Sequence, residues 1–238
     1  RCEEACTRGT IDQAVAIDEV KRFIAQQDLD AATRFVPEKV IPKVDGEFSE
    51  KIAIIGGGPA GLSCAYYLAE KGYRPTVFEK EARTGGMLMN GIPSFRLEKD
   101  VVEAEIDVLR ELGVEFRTGV EVGRDVTIAQ LREEGYKGFY LAVGLQSGGR
   151  LGVPGDDARG VEAGIDFMRA VNLRGEKTLS GRVVVIGGGN IAADVARTAV
   201  RCGAESVTMY CLEGYDEMPM GEEDRSECER DGVVIRAG

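Results

Sequence analysis

The chain has 238 residues, room for one large domain or two modest ones. It is 43% hydrophobic, yet no apolar run approaches the roughly 20 residues that a bilayer requires, which argues against a membrane-spanning protein. A formal charge of -11 argues against a nucleic-acid partner, whose phosphates demand surplus Lys and Arg, and the absence of His removes imidazole triads and imidazole metal ligands.

Arg1 opens the chain without an initiator Met or an apolar leader, so no signal peptide is expected and the natural N-terminus is expected upstream. The six cysteines sit in a chain too rich in core residues to need disulfide staples, which points to a reducing, cytoplasmic setting. Residues 13 to 25 carry Ala16, Ile17, Val20, Phe23 and Ile24 at the spacing of one helical face, and Asp12 is the expected N-cap. Between Phe35 and Glu50, Pro37, Pro42 and Gly46 break any period and mark a connector.

Residues 51 to 55 form a short apolar run typical of a buried parallel strand, followed by a glycine turn and a helix near 59 to 71. Strands are expected at 76 to 78, 114 to 116 and 138 to 143, with a helix marked by Val102, Ile106 and Leu109. Residues 151 to 155 read as a crossing segment, and Ile165, Met168 and Leu173 as a helix. The pattern then restarts: strand at 182 to 186, glycine turn, helix near 190 to 202, strand at 206 to 210. The two units stand about 130 residues apart, too far for a solenoid repeat of roughly 20 to 50 residues, so the expected fold is α/β with two Rossmann-like dinucleotide-binding domains.

In the first turn, Gly56, Gly58 and Gly61 fall at the dinucleotide-fingerprint spacing, with Pro59 and Ala60 opening the helix between them. Gly56 allows the tight turn, Gly58 lets backbone approach a pyrophosphate, and Gly61 lets helix pack on strand. The helix N-terminus then faces the anion with free N-H groups. Glu79 follows Gly56 by about 23 residues, where a carboxylate can accept from a ribose diol; Lys80 stands next to it in the same candidate site. The second turn keeps Gly187 and Gly189, continues through Asn190 and Ile191, and has Ala192 at the third position, an accepted variant. Its strand ends in Cys211, Leu212 and Glu213 with no Arg close by to hold a 2'-phosphate, so NAD(H) is expected over NADP(H).

With both turns in place, the chain resembles the family of the glutamate synthase small subunit, together with the N-terminal half of dihydropyrimidine dehydrogenase and the larger subunit of NADH-dependent ferredoxin:NADP oxidoreductase. The matching stretches run end to end: Cys2-Glu3-Glu4-Ala5-Cys6-Thr7-Arg8-Gly9, Gly56 to Gly61, Gly85-Gly86-Met87-Leu88, Gly91-Ile92-Pro93 with Arg96, Val153-Pro154-Gly155, and Gly187 to Ala192. The resemblance implies FAD on the first turn, with Gly86, Met87, Leu88, Gly91, Ile92, Pro93 and Arg96 near the flavin and Ala142 and Gly144 close to the cofactor. It implies a helical iron-sulfur segment at 1-35, the first part of an FAD domain at 36-150 and part of an inserted NAD(P) domain at 151-238. The remainder of both domains is expected beyond Gly238, and full activity is not expected of this piece alone.

Cys2 and Cys6 form a C-x3-C pair, which by itself suits free thiols or part of a cluster; the resemblance implies ligands of a [4Fe-4S] cluster, which needs about four. The stretch at 85 to 94 also looks like that of flavin disulfide reductases but lacks their cysteines, so no dithiol relay is expected. Met89 suits flavin contact or packing equally, and the acids Glu222, Glu223, Asp224, Glu227 and Glu229 read as a solvated helix face.

No catalytic acid or base is assigned, since cofactors carry the bond chemistry. The leading expectation is an NAD(P)H-dependent flavin oxidoreductase that passes hydride to FAD and then single electrons through clusters to other redox subunits, with no nucleic acid and no membrane involved. A cluster-free disulfide or quinone reductase and a non-catalytic assembly module are the alternatives.

Overall fold

The computed structural model describes residues 2-40, 46, 48-175 and 178-238. Pro42, part of the expected connector, lies outside the described residues.

The first helix, α1 (Ile17–Leu29), starts four residues later than its apolar spacing suggested. Asp12 is taken up elsewhere: it accepts from Arg8 Nε at 2.9 Å and from the Gln13 N-H at 2.7 Å, so Ala16 is the N-cap. Val20, Phe23 and Ile24 are all more than half exposed, so the stripe that signals this helix does not face a core.

The first sheet is built from β1 (Lys51–Ile55), β2 (Arg74–Glu79), β3 (Glu115–Thr118) and β4 (Tyr136–Leu141). They pair in the order β3-β2-β1-β4, all parallel. Parallel neighbours require crossovers, supplied here by α2 (Pro59–Glu70), the short α3 (Met87–Asn90), α4 (Lys99–Glu111) and α5 (Ile128–Glu133). Successive strand residues point to opposite faces. Ile54 and Val77 therefore pack with Ala65, Ala69 and Leu109 on the α2/α4 side, while Ala53 and Phe78 pack with Leu131 and Tyr136 on the other. Helix α5 was not foreseen; its start is fixed by a reciprocal capping box between Thr127 and Gln130.

A second parallel sheet, β5 (Arg182–Ile186), β6 (Ser206–Cys211) and β7 (Val234–Ala237), runs in the order β5-β6-β7. Helices α6 (Gly164–Arg174), α7 (Asn190–Arg201) and α8 (Glu222–Arg230) accompany it. Phe167, Met168, Ala193, Ala196, Val207 and Met209 make its core. Among the described residues only one face of this sheet is covered: Val184, Ile186 and Tyr210 on the other are about half exposed or more, unlike the fully buried strand their apolar character suggests.

The units meet through polar and cation-π contacts. Arg96 pairs with Asp194 on α7 and Asp224 on α8, and the Phe95 ring lies 4.7 Å from the Arg197 guanidinium and 4.2 Å from that of Arg201. Asn172 on α6 donates to Asn90 O at 3.0 Å and Ile92 O at 3.1 Å. The acids of α8 are less idle than a solvated face: Asp224 holds Arg96, Glu227 holds Arg197, and Glu229 accepts from the Tyr215 hydroxyl.

Candidate dinucleotide sites

Each glycine of the first turn answers a different steric demand. The Gly56 N-H closes the turn onto Phe78 O at 2.8 Å with φ at +107°, and a Cβ here would stand 2.3 Å from Ala142 O. At Gly61 a Cβ would stand 2.0 Å from Gly56 O and 3.2 Å from Ile54 Cγ2, so α2 could not lie this close to β1 with any side chain. Gly58 is the N-cap of α2 with extended backbone and has no crowding of that kind: the nearest atom to a would-be Cβ is Gly86 Cα at 3.7 Å. What its lack of a side chain leaves is open approach to the N-H groups at the start of a 12-residue helix, the geometry that suits a diphosphate. Pro59 sits where its missing N-H costs nothing, and Ala60 follows it into the helix.

Glu79 ends β2 at 3% exposure. Its Oε2 accepts the Gly57 N-H at 2.8 Å and its Oε1 accepts the Glu81 N-H at 2.9 Å. The carboxylate therefore braces the turn, and each of its oxygens keeps a lone pair not engaged by these backbone donors. Beside it opens a cavity of about 410 Å³ bordered by Gly56, Glu79, Lys80, Val120, Gly144 and Arg169. That volume falls among small-molecule sites, roughly 300 to 1,000 Å³. Ala142 meets the turn through its backbone, its N-H donating to Ile55 O at 2.8 Å.

Gly86 faces Gly58 so closely that a Cβ on it would fall 2.7 Å from Gly58 Cα. Met87 and Leu88 are half-buried on α3, Gly91 and Ile92 follow it, and Pro93 is buried. Lys99 ties this segment down by donating to Leu88 O at 2.8 Å and to Ile92 O. Met89 is fully buried with Val102 and Ile106, which settles it as core. Arg96 is engaged by Asp194 and Asp224, so its guanidinium links the two units here.

The second turn repeats the first with smaller demands. Gly187 has φ at +133° and donates to Tyr210 O at 2.8 Å, while a Cβ on it would lie 3.6 Å from Ala192 Cβ, an ordinary contact. Gly189 caps the 12-residue α7 with extended backbone and has nothing within 4 Å of a would-be Cβ. Asn190 and Ile191 are exposed at the helix start. The Glu213 Oε2 stands 3.5 Å from where a Cβ on Gly188 would be, so its carboxylate borders this turn from beyond the end of β6.

The cysteines differ sharply in setting. Cys6 accepts the Val15 N-H at 3.5 Å, and backbone N-H groups, that of Val15 foremost, hold its thiol below the usual range. Cys2 is exposed nearby in sequence. Such N-H donation favours a thiolate, the form that binds iron, but among the described residues no three potential ligands gather. Burial pushes the Cys228 thiol up to about 11 and raises that of Cys64. Among the described residues no helix is long and apolar enough to cross a membrane.

Two glycine turns on parallel sheets, each opening a long helix and each faced by a carboxylate, share the geometry of dinucleotide-binding turns. The chain belongs to the pyridine nucleotide-disulphide oxidoreductase family, whose model matches residues 50–236. It is 39% identical over 247 residues to the glutamate synthase [NADPH] small chain of Halomonas elongata, covering 98% of this chain and 50% of that protein. It is 37% identical over 238 residues to the NAD-dependent dihydropyrimidine dehydrogenase subunit PreT of Escherichia coli K12, covering all of this chain and 56% of that protein. The chain thus spans about half the length of these relatives. The Mycobacterium tuberculosis FprA structure in complex with NADPH shares the fold, with a TM-score of 0.63 at 23% identity over 76% of this chain and 47% of that one. The resemblance to the glutamate synthase small subunit is therefore upheld, and the relatives are named oxidoreductases.

Proposed function

We propose that this chain is the electron-input part of an NAD(P)H-dependent flavin oxidoreductase, with FAD on the first turn and the nicotinamide nucleotide on the second. The observation that carries the reading is the pair of open helix N-termini at Gly58 and Gly189, each left clear for a diphosphate while Gly56, Gly57, Gly61 and Gly188 are closed by sterics. The bound cofactors supply hydride chemistry; the chain supplies alignment and a dry setting.

On the flavin side, Gly56, Gly58, Pro59, Ala60 and Gly61 receive the diphosphate, and Glu79 and Lys80 receive the ribose. Gly86, Met87, Leu88, Gly91, Ile92 and Pro93, with Ala142 and Gly144, surround the rest. On the nicotinamide side, Gly187, Gly189, Asn190, Ile191 and Ala192 play the same part. Glu213 favours NAD(H), because a carboxylate there accepts from a free 2'-hydroxyl and repels a 2'-phosphate. Electrons then leave for a partner redox subunit, and Cys2 and Cys6 furnish two of the roughly four thiolates of a [4Fe-4S] cluster. The hydrogen-bonded sulfur of Cys6 fits that duty.

Anaerobic mixing of the full-length protein with NADH tests the reading. Bleaching of the flavin's visible absorbance is expected, together with iron that Cys6→Ala diminishes. Flavin that stays oxidised under NADH and NADPH alike contradicts it.

A further inference from the structure

Arg169 lies on α6, outside either glycine fingerprint, yet it reaches the first cavity. Its side chain is only 17% exposed. Nη1 donates to Asp166 at 3.0 Å, and Nη2 to the backbone oxygen of Gln146 at 3.1 Å and to its side-chain oxygen at 3.4 Å. Nε is buried and has no hydrogen-bond partner; the Glu81 carboxylate pairs with it at 3.7 Å, too long for a hydrogen bond. A buried donor left unmet is costly, and this one borders a hollow.

The hollow adjoins the first turn, where Ile55, Gly56 and Glu79 line it. The rest of its lining includes Lys80, Val120, Glu121 and Val122 and the loop residues Gly144, Gln146 and Ser147. A slot that sets Val120 and Val122 among polar groups and holds one planar cation suits a flat heteroaromatic base, which a guanidinium can stack on or donate to. We infer that Arg169 is a binding residue for the adenosine end of the dinucleotide on the first turn, its Nε-H meeting an acceptor there. The inference rests on the reading of that turn as the FAD site.

The placement has a further effect. Helix α6 also holds the flavin-side segment, through Asn172 to Asn90 O and Ile92 O, and its Phe167 and Met168 belong to the core of the second unit. Adenosine gripping Arg169 therefore seats the helix that joins the two sites.

The test uses full-length protein stripped of flavin and titrated with FAD, with ADP, which carries the adenosine, and with FMN, which lacks it. Arg169→Met is expected to weaken FAD and ADP at least tenfold and leave FMN unchanged, with Arg169→Lys in between, all on flavin-free protein that circular dichroism shows to be folded. Unchanged FAD and ADP affinity in Arg169→Met overturns the inference, as does equal weakening of all three ligands, which marks a structural lesion. Should Arg169→Met not fold, Arg169→Lys decides on the same readout. Wild-type protein that takes up neither FAD nor ADP overturns both this inference and the flavin reading beneath it, whereas tight wild-type FAD binding with an indifferent Arg169→Met removes the inference alone.

Discussion

Cys211 holds in the second unit the position that Glu79 holds in the first. Gly56 donates to Phe78 O and Gly187 to Tyr210 O, each at 2.8 Å, and the next residues are Glu79 and Cys211. Their Cβ atoms stand 3.4 Å and 2.9 Å from where side chains on Gly57 and Gly188 would begin. The second strand thus lacks the carboxylate at its last residue, and Glu213, two residues on, brings one back to the turn.

Substituting Glu213 separates a ribose ligand from a bystander. A hydrogen bond to a charged group contributes about 1.5–3 kcal/mol, which corresponds to about 10- to 100-fold in affinity. Glu213→Gln is expected to raise KM for NADH about tenfold with kcat nearly unchanged, and to narrow the preference for NADH over NADPH. Steady-state flavin reduction with both nucleotides measures this; an unaltered KM would remove Glu213 from the site.

Glu79→Gln should cost stability before any cofactor binds. The two carboxylate oxygens serve two different N-H groups, Gly57 and Glu81. Glutamine can accept from one only, and its amide NH2 then faces the other donor. A loss of about 1–3 kcal/mol is expected from one stranded buried donor, read from denaturant midpoints of flavin-free protein. A wild-type midpoint would mean that water replaces the lost acceptor.

Lys99 makes the stability of the flavin-side segment depend on pH. Burial first, and the Arg83 charge second, push its ammonium down to about 8. An unfolded lysine titrates at about 10.4, so between these values the unfolded chain binds more protons and the contribution of this group to stability rises with pH. Below about 8 both states are charged and the contribution is flat. The stability difference between wild type and Lys99→Met is therefore expected to shift in favour of wild type from pH 8 towards 10, and a constant difference across that range would contradict the burial argument.

Much of this was legible in the sequence because parallel strands and glycine turns are local signals. The run at 51 to 55 and the run at 182 to 186 are strands β1 and β5 with the same limits, and both turns open helices as their spacing requires. The start of α1 was not, because Asp12 is as good an N-cap as any until Arg8 claims it. Arg169 carried no motif at all; a helix three-quarters of the way along the chain reaches the first cavity only through tertiary packing. The bonds from Arg96 to Asp194 and Asp224 were invisible for the same reason, since their partners lie about 100 or more residues away.

The two glycines with room to spare give the sharpest test. Gly61→Ala should simply unfold the first unit, its Cβ 2.0 Å from Gly56 O, but Gly58→Ala and Gly189→Ala fit the empty turns and their extended backbones. In full-length protein mixed anaerobically with NADH, Gly58→Ala is expected to be folded and colourless, and Gly189→Ala yellow but unbleached. A Gly58→Ala protein that keeps its flavin, or a Gly189→Ala protein that bleaches at the wild-type rate, would contradict the assignment of the two turns.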